Sequence, residues 1–413
     1  MTKTPPSNQP GFTVPEPPAR PGDTPDFSSL DLHADVKLAR PDPQCPAEDT
    51  FTLANALIGV LDKSGQATGP WNPHLTPGVL RQGLHLMLKT RLYDDRMLKL
   101  QRQGKMSFYM KSTGEEAVAV AAGMALRNTD MAFPSYRQQG LLFARDRDMV
   151  DMMCHCLSNA RDNLKGRQLP VHYTWKEGHF FSISGNLATQ FPQAVGWAMA
   201  SAARGEDQVT ASWLGEGSTA EGDFHSACTL ASIYRPPVIL NIVNNQWAIS
   251  SFAGIAGGQS ATFAAHGIGH GLASLRVDGN DFLAVYATTQ WAAERARNGH
   301  GATLIELVTY RTGAHSTSDD PGRYRPKNEA AAWPLGDPVI RLKEHLIALG
   351  EWDEARHSAL EEALGKEVQA AYKEAESFGT VRDGPVSPTP TMFEDVYAEQ
   401  PWTLRRQRQE LGV

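Results

Sequence analysis

The chain has 413 residues, a formal net charge of −7 and a sequence pI near 6.0. That length holds a large catalytic domain with extensions, and the acidic balance gives no electrostatic footprint for nucleic acid. Four cysteines form no zinc pattern, no apolar run approaches the ~20 residues that span a bilayer, and the N-terminus shows neither a signal-peptide core nor an Arg-rich transit pattern. Such sparse cysteine use suits a reducing compartment, and the expected location is cytoplasmic, with no membrane attachment.

Residues 1–50 hold 11 of the 27 prolines and little periodic pattern. They read as an extended arm, either a disordered tail or a segment laid across a partner subunit. Helical character begins near residue 75, where Leu80, Leu84, Met87 and Leu88 fall at helical spacing, and residues 117–126 form a buried helix of small apolar residues. A strand is expected near residues 131–134, a helix from Arg137, and a small-residue helix over residues 193–204. The run Cys154-His155-Cys156 reads as buried helix rather than as metal ligands.

The most informative stretch follows. An apolar run over residues 209–214 ends in Gly215-Glu216-Gly217, residues 220–234 read as helix, and a second apolar run over residues 238–243 ends in Asn244-Asn245. That is a strand-helix-strand crossover. Beyond it come a short strand at Leu275-Arg276-Val277, a turn at Asp278-Gly279-Asn280, a helix over Phe282–Arg297 and a buried strand over residues 303–310. A polar loop over residues 311–320 leaves the end of that strand. Repeated β-α-β order implies a doubly wound parallel sheet with helices on both faces, an α/β fold.

From Asp337 the chain turns helical. Asp337 caps, Pro338 fits the first turn, Val339, Leu342, Leu346 and Leu349 make one apolar face, and Gly350 stops the helix. A second amphipathic helix is expected over residues 353–376, and Arg405, Arg406 and Arg408 in the tail read as a solvated face. Three regions result: a proline-rich N-terminal arm over 1–74, an α/β domain over 75–330, and a C-terminal helical region over 331–413.

Glu216 and Asn245 thus stand at the carboxyl ends of neighbouring parallel strands, where open α/β sheets bind ligands. Hard oxygen donors there suit Mg²⁺, which takes one or two protein oxygens together with phosphate oxygens, and the flanking glycines let the backbone approach a diphosphate. Gly215-x-Gly217-x-x-Ala220 also fits a relaxed dinucleotide fingerprint. That reading wants an acidic residue where this chain has Asn244-Asn245, and it sets Glu216 against a pyrophosphate with no metal between them. A merely structural turn is the bland alternative.

The spacing, with Asn-Asn about 30 residues after Gly-Glu-Gly, resembles the thiamine diphosphate motif, which usually has Asp where this chain has Glu216. The longer arm keeps the charge and the donor atom. Several ordered segments together resemble the α subunits of branched-chain 2-oxo acid dehydrogenases. They include Thr113-Gly114-Glu115-Glu116, Tyr136-Arg137, the run from Gly166 to Tyr173, Leu187-Ala188-Thr189-Gln190, the run from Arg276 to Asp281, and His315-Ser316-Thr317-Ser318-Asp319-Asp320. Asp395-Val396-Tyr397 and Leu404-Arg405-Arg406-Gln407 extend the likeness, which runs from about residue 75 to the end. Glu216 and the Ser316–Asp320 sequence pull the chain away from pyruvate and acetoin dehydrogenase α subunits, the second enzyme reading.

The resemblance implies a thiamine diphosphate-binding fold and oxidative decarboxylation of branched-chain 2-oxo acids, as in valine, leucine and isoleucine catabolism, with reductive acylation of a lipoyl group. It implies Mg²⁺ held by Glu216, Asn245 and the Trp247 carbonyl, and the diphosphate met by Tyr136, Arg137, Gly215, Gly217 and Ser218. Leu187 is expected at the aminopyrimidine ring. His315 is expected to orient the cofactor phosphate and assist acyl transfer, since a histidine of ordinary pKa, about 6.5, moves protons at neutral pH. The family often has an arginine just before Asn-Asn, where this chain has Val243. Ser184, Thr189 and Gln190 match positions that hold a monovalent cation in relatives, with loop-bracing hydrogen bonds the equal alternative. Ser316 matches a phosphorylation position of mitochondrial relatives. His172, His179 and His225 have weaker claims, His225 reading as packing.

The glutamate that activates the aminopyrimidine comes, in this family, from a separate β subunit. With one doubly wound unit the chain is expected to be half an active site in an α₂β₂ heterotetramer, with a lipoyl acyltransferase core as further partner. A non-catalytic scaffold subunit is the reading from another class, and the joint presence of Glu216, Asn245 and His315 speaks against it.

Overall fold

Apolar strand runs separated by helical spacing fold as the sequence pattern demands, in a computed structural model that describes residue 11, residues 15–257 and residues 262–413. The strands are β1 (Ala34–Asp35), β2 (Leu57–Ile58), β3 (Met131–Phe133), β4 (Thr210–Gly215), β5 (Val238–Asn244), β6 (Trp247–Ala248), β7 (Ser251–Phe252), β8 (Ala273–Asp278) and β9 (Thr303–Val308). The helices are α1 (Pro77–Arg102), α2 (Glu116–Ala125), α3 (Gln139–Ala144), α4 (Met149–Leu157), α5 (Gln190–Ala203), α6 (Gly222–Tyr234), α7 (Ala253–Ala256), α8 (Ala265–His270), α9 (Phe282–Arg297), α10 (Pro338–Ala348), α11 (Glu354–Ser377) and α12 (Trp402–Leu411).

Seven strands form one sheet in the order β1-β2-β8-β9-β5-β4-β3, every neighbouring pair parallel, and β6 and β7 make a small antiparallel ribbon. A parallel sheet covered on both faces needs apolar residues on both sides of each central strand. β5 shows this plainly. Ile239 and Val243 pack into the core shared with α1, α2, α9, α10 and α11, while Val238, Leu240 and Ile242 pack opposite, against α5 and α6. The doubly wound expectation therefore holds, and the two C-terminal helices close the first of these cores through Leu342, Leu346, Leu364 and Val368.

The proline-rich segment does more than lie across the surface. Its residues 34–35 and 57–58 add two edge strands to the sheet. Val60 and Leu61 donate their backbone N–H groups to Asp281 Oδ2 at 2.8 and 2.6 Å, and Trp71 is buried against Trp291. Two-residue strands leave no readable periodicity, so only tertiary pairing reveals them.

Element starts differ from expectation where side chains are recruited elsewhere. The helix expected from Arg137 begins at Gln139, since Tyr136 and Arg137 sit in the preceding turn. The helix after Gly-Glu-Gly begins at Gly222, because Glu216–Ala220 forms a 3₁₀ turn first. Asp337 caps α10 as expected, accepting from Val339 N and Ile340 N, but Leu349 is exposed and His345 takes the buried place, its Nδ1 donating to the Gly65 carbonyl. The run Cys154-His155-Cys156 is buried in α4. Among the described residues no helix is long and apolar enough to cross a membrane.

Candidate active site

β4, β5 and β9 are consecutive in the sheet and parallel, so their carboxyl ends meet on one edge. The backbone beyond β9 stays beside the Asn-Asn pair, with Thr309 N donating to Asn244 O at 2.9 Å and Arg311 N to Asn245 O at 3.2 Å. A fourth contributor arrives from the start of α2. Gly114 takes φ +99°, and a side chain there would collide with the Tyr310 carbonyl oxygen, so the turn before α2 lies flush against the β9 exit. Thr312 N donates to Thr113 O, which fixes Glu115 on the same edge.

Glu216 is 1% exposed, and Asn245 N donates to its Oε2 at 3.2 Å. Its Oε1 has no hydrogen-bond partner among the described residues. Burial pushes its carboxyl up to about 7, against the opposing pull of nearby backbone N–H groups and of Arg311 and Arg137. Glu115, equally buried, is also pushed up to about 7, mainly by desolvation, with Glu216 adding repulsion and Arg137 opposing it. Asn245 lies between them: its Nδ2 donates to Glu115 Oε1 at 2.8 Å and its Oδ1 accepts from Trp247 N at 3.3 Å. Gln246 carries the turn at φ +75°, a left-handed conformation costly for a residue with a side chain. Gly217 is required by packing, since a Cβ there would collide with that of Ala248.

Opposite stand the cations. Arg137 donates through Nη2 to the His315 carbonyl at 2.6 Å and through Nη1 to Lys111 O at 2.5 Å, and its Nη2 lies 3.2 Å from His315 Nδ1. Arg311 donates through Nη1 to the Trp247 carbonyl at 2.6 Å and through Nη2 to Ile249 O and the Tyr324 hydroxyl. The Trp247 carbonyl, expected as a metal ligand, thus has one lone pair engaged. Tyr136 packs edge-on to the His315 ring, centroids 5.9 Å apart. Asp319 Oδ2 accepts from His315 N and from the Tyr324 hydroxyl, while Thr317 N donates to Tyr109 O and Thr317 Oγ1 accepts from Tyr109 N.

His315 does not keep its ordinary pKa. Burial, then Arg137, then Arg311 push it down to about 3, with Asp319 opposing. The ring in this state is a neutral imidazole throughout the physiological range, and a role that needs a cationic acid requires the two guanidiniums to be neutralised first.

Other sequence-predicted residues separate. Ser218 is buried beside Glu216 in the 3₁₀ turn. Leu187 is 51% exposed, on the loop before α5, and takes no part in the polar cluster. Ser184 and Thr189 brace their own loop through Asn186, whereas Gln190 donates to Trp213 O and leaves its buried Oε1 without a partner among the described residues. Val243 is buried in the core. His225 is exposed, near His266 and His270, and is not the packing residue it was expected to be; His172 is buried beside His155. Both lie outside the polar cluster. Glu115 and Arg311 carry the site as much as any residue singled out by sequence. Glu115 lies in the Thr113–Glu116 motif and Arg311 opens the polar loop after β9, but nothing in one dimension turns them toward Asn245 and His315.

A parallel sheet whose carboxyl edge gathers two buried carboxylates, a carboxamide, two arginines and a histidine defines an α/β enzyme built to hold a charged cofactor there. The chain belongs to the dehydrogenase E1 component family, whose model matches residues 84–382. Residues 8–48 match a further model, the N-terminal part of the 2-oxoisovalerate dehydrogenase E1 alpha subunit. The chain is 59% identical to the 2-oxoisovalerate dehydrogenase subunit alpha of Pseudomonas aeruginosa over 400 residues, covering 97% of this chain and 98% of that one. It is 39% identical to the mitochondrial 2-oxoisovalerate dehydrogenase subunits alpha of Mus musculus and Homo sapiens over 370 residues, covering 88% of this chain and 82% and 81% of theirs.

Proposed function

We propose that the chain is the α subunit of a branched-chain 2-oxo acid dehydrogenase, acting with thiamine diphosphate and Mg²⁺ in oxidative decarboxylation and in acyl transfer to a lipoyl group. The observation that carries this reading is the unpartnered Oε1 of Glu216, buried and facing a strand edge that also bears Asn245, Arg137 and Arg311. A buried carboxylate oxygen without a donor is costly unless something cationic completes it. Oxygen donors from Glu216, Asn245 and the second lone pair of the Trp247 carbonyl are the set a hard divalent ion takes. On the other side the guanidiniums of Arg137 and Arg311 lie 3.2 and 3.4 Å from His315 Nδ1, a concentration of positive charge that would suit a dianionic phosphate. The residues present fit the cofactor.

Thiamine diphosphate, when bound, supplies the electron sink that makes loss of CO₂ feasible. The chain's own side chains do the rest. Arg137 and Tyr136 would hold the diphosphate, Arg311 would supply a second guanidinium, Gly215, Gly217 and Ser218 would offer backbone donors, and Leu187 would meet the ring system. A phosphate's charge would offset Arg137 and Arg311, the charged groups that depress His315 after burial, and so would raise the proton affinity of its Nδ1. Asp319, through His315 N, keeps the ring over the site.

The remaining elements are a β subunit that brings the activating glutamate, an α₂β₂ assembly, and a lipoyl acyltransferase core. The four cysteines are all free thiols, which suits a cytoplasmic enzyme. The preferred substrates are 3-methyl-2-oxobutanoate and its longer branched homologues. Each methylene equivalent contributes about 0.8 kcal/mol of burial, so a preference of roughly ten- to a hundredfold over pyruvate is expected in kcat/KM. Co-expression with the β subunit and a substrate panel tests this, and equal or better values with pyruvate overturn the branched-chain reading. In the same complex, His315→Ala is expected to cost about 10²- to 10⁴-fold in overall activity. Decarboxylation with an artificial electron acceptor should fall less; if neither assay falls, His315 is a bystander.

A further inference from the structure

We propose that Glu115 is a positioning residue that holds the Asn245 carboxamide with its oxygen, rather than its NH₂, presented to the metal. This rests on the Mg²⁺ reading above and deepens it.

An asparagine amide is nearly symmetric in shape but opposite in polarity at its two ends, and only its hydrogen-bond partners decide which end faces where. As a ligand, Asn245 is useful in one orientation alone, since an NH₂ group repels a cation. Two contacts set the orientation. Glu115 Oε1, which only accepts while ionised, takes Nδ2 at 2.8 Å, and Trp247 N, which only donates, meets Oδ1 at 3.3 Å. A flipped amide would put oxygen against oxygen and N–H against N–H. The Trp247 contact is the longer of the two, so Glu115 carries most of the preference.

The plain alternative is that Glu115 exists to pair with Arg137. The geometry ranks that second: Arg137 Nε lies 3.7 Å from Oε1, beyond a hydrogen bond, while its Nη1 and Nη2 are spent on Lys111 O and His315 O. The neighbouring Glu116 shows what a pairing glutamate looks like here. It meets Arg91 Nε at 2.7 Å and accepts from Gly114 N at 2.9 Å, anchoring the start of α2. Glu115 is turned the other way by the same tight Gly114 turn, and it is 1% exposed, so solvent cannot substitute for it.

The experiment is a Mg²⁺ titration of the α/β complex at fixed thiamine diphosphate, read by quenching of tryptophan fluorescence, with unliganded melting temperature as a second readout. Glu115→Leu and Glu115→Ala are expected to raise half-saturating Mg²⁺ about 10- to 100-fold, the usual reach of a residue that orients a ligand. Their unliganded melting temperature reports the separate structural cost of leaving Asn245 Nδ2 without an acceptor, which Glu115→Gln should avoid. Glu115→Gln keeps an acceptor oxygen and should recover most of the affinity. Asn245→Asp placed in the Glu115→Leu background should also recover it, since a carboxylate presents oxygen either way round. Unchanged Mg²⁺ dependence in Glu115→Leu and Glu115→Ala, or no recovery in both the glutamine and the double variants, overturns the proposal. Glu216→Gln is the control that separates the two readings. If it weakens Mg²⁺ while Glu115 variants do not, only the positioning role fails; if it too has no effect, the metal reading itself has failed.

Discussion

Two fully buried carboxylates follow strands of the same sheet and live in opposite circumstances. Asp281, just past β8, accepts four backbone N–H groups: Oδ2 takes Val60 and Leu61, and Oδ1 takes Leu283 and Ala284. Glu216, just past β4, accepts one from Asn245 and leaves an oxygen bare. Burial is equal, so burial says nothing about role. What distinguishes them is saturation. A carboxylate whose acceptor sites are filled by its own fold is structural, and one left partly empty is kept for something the fold does not contain.

That contrast can be broken at either end. Asp281→Ala strands two N–H groups of the edge segment and uncaps α9, and with unmet buried donors costing about 1–3 kcal/mol each the total loss should reach about 4 kcal/mol. Urea unfolding of the complex measures it, and a loss under about 1 kcal/mol would mean that the edge segment is held by other contacts. Glu216→Gln should do the reverse. Unliganded stability should hold or rise, while half-saturating Mg²⁺ and thiamine diphosphate increase together by at least about tenfold, because a neutral oxygen no longer offsets the ion's charge. A stability loss with unchanged cofactor binding would make Glu216 another Asp281.

The smallest effect is a pH dependence. Glu115 and Glu216 have folded-state values of about 7, above the ordinary 4.5. Groups with raised values bind protons more tightly when folded, so their contribution to stability is full below pH 4.5 and lost as pH rises through about 7. The unliganded complex should therefore lose melting temperature relative to a Glu115→Gln, Glu216→Gln double variant across that window. Saturating Mg²⁺ and thiamine diphosphate should remove this pH-dependent loss from the unsubstituted complex, since the ion favours the ionised form. A pH-independent gap between the two proteins would show that neither carboxyl is perturbed as the geometry requires.

The crossover from β4 to β5 was legible because long strands, glycine punctuation and polar residues at strand ends leave a periodic trace; Phe282–Arg297 was legible to the residue after its turn, and Asp281 proves to cap it. Glu216, Asn245, Arg137 and His315 converge because parallel strands put like ends together. Three things were not legible. Glu115 and Arg311 acquire their roles from which way a turn faces, which no spacing encodes. His315 was expected at its ordinary pKa, but burial depresses it, helped by Arg137 from 178 residues away and by Arg311 four residues before it. β1 and β2 are two residues each; β1 pairs only with β2, and β2 joins the sheet through β8, more than two hundred positions away.

That separation has a consequence for how the chain is made. Val60 and Leu61 bond to Asp281, 221 and 220 residues downstream, and β2 pairs with β8. This segment leaves the ribosome well before its partners and is therefore among the last to find its place. Throughout synthesis Leu57, Ile58, Val60, Leu61 and Trp71 have no native surface to cover them, and closing so long a loop is slow. Growing chains should present this apolar stretch to chaperones until β8 is complete. Pulse-labelled hydrogen exchange on refolding chains should find the amides of Leu57 and Ile58 protected after those of β4 and β5; protection in the opposite order would mean that the edge forms its own early structure.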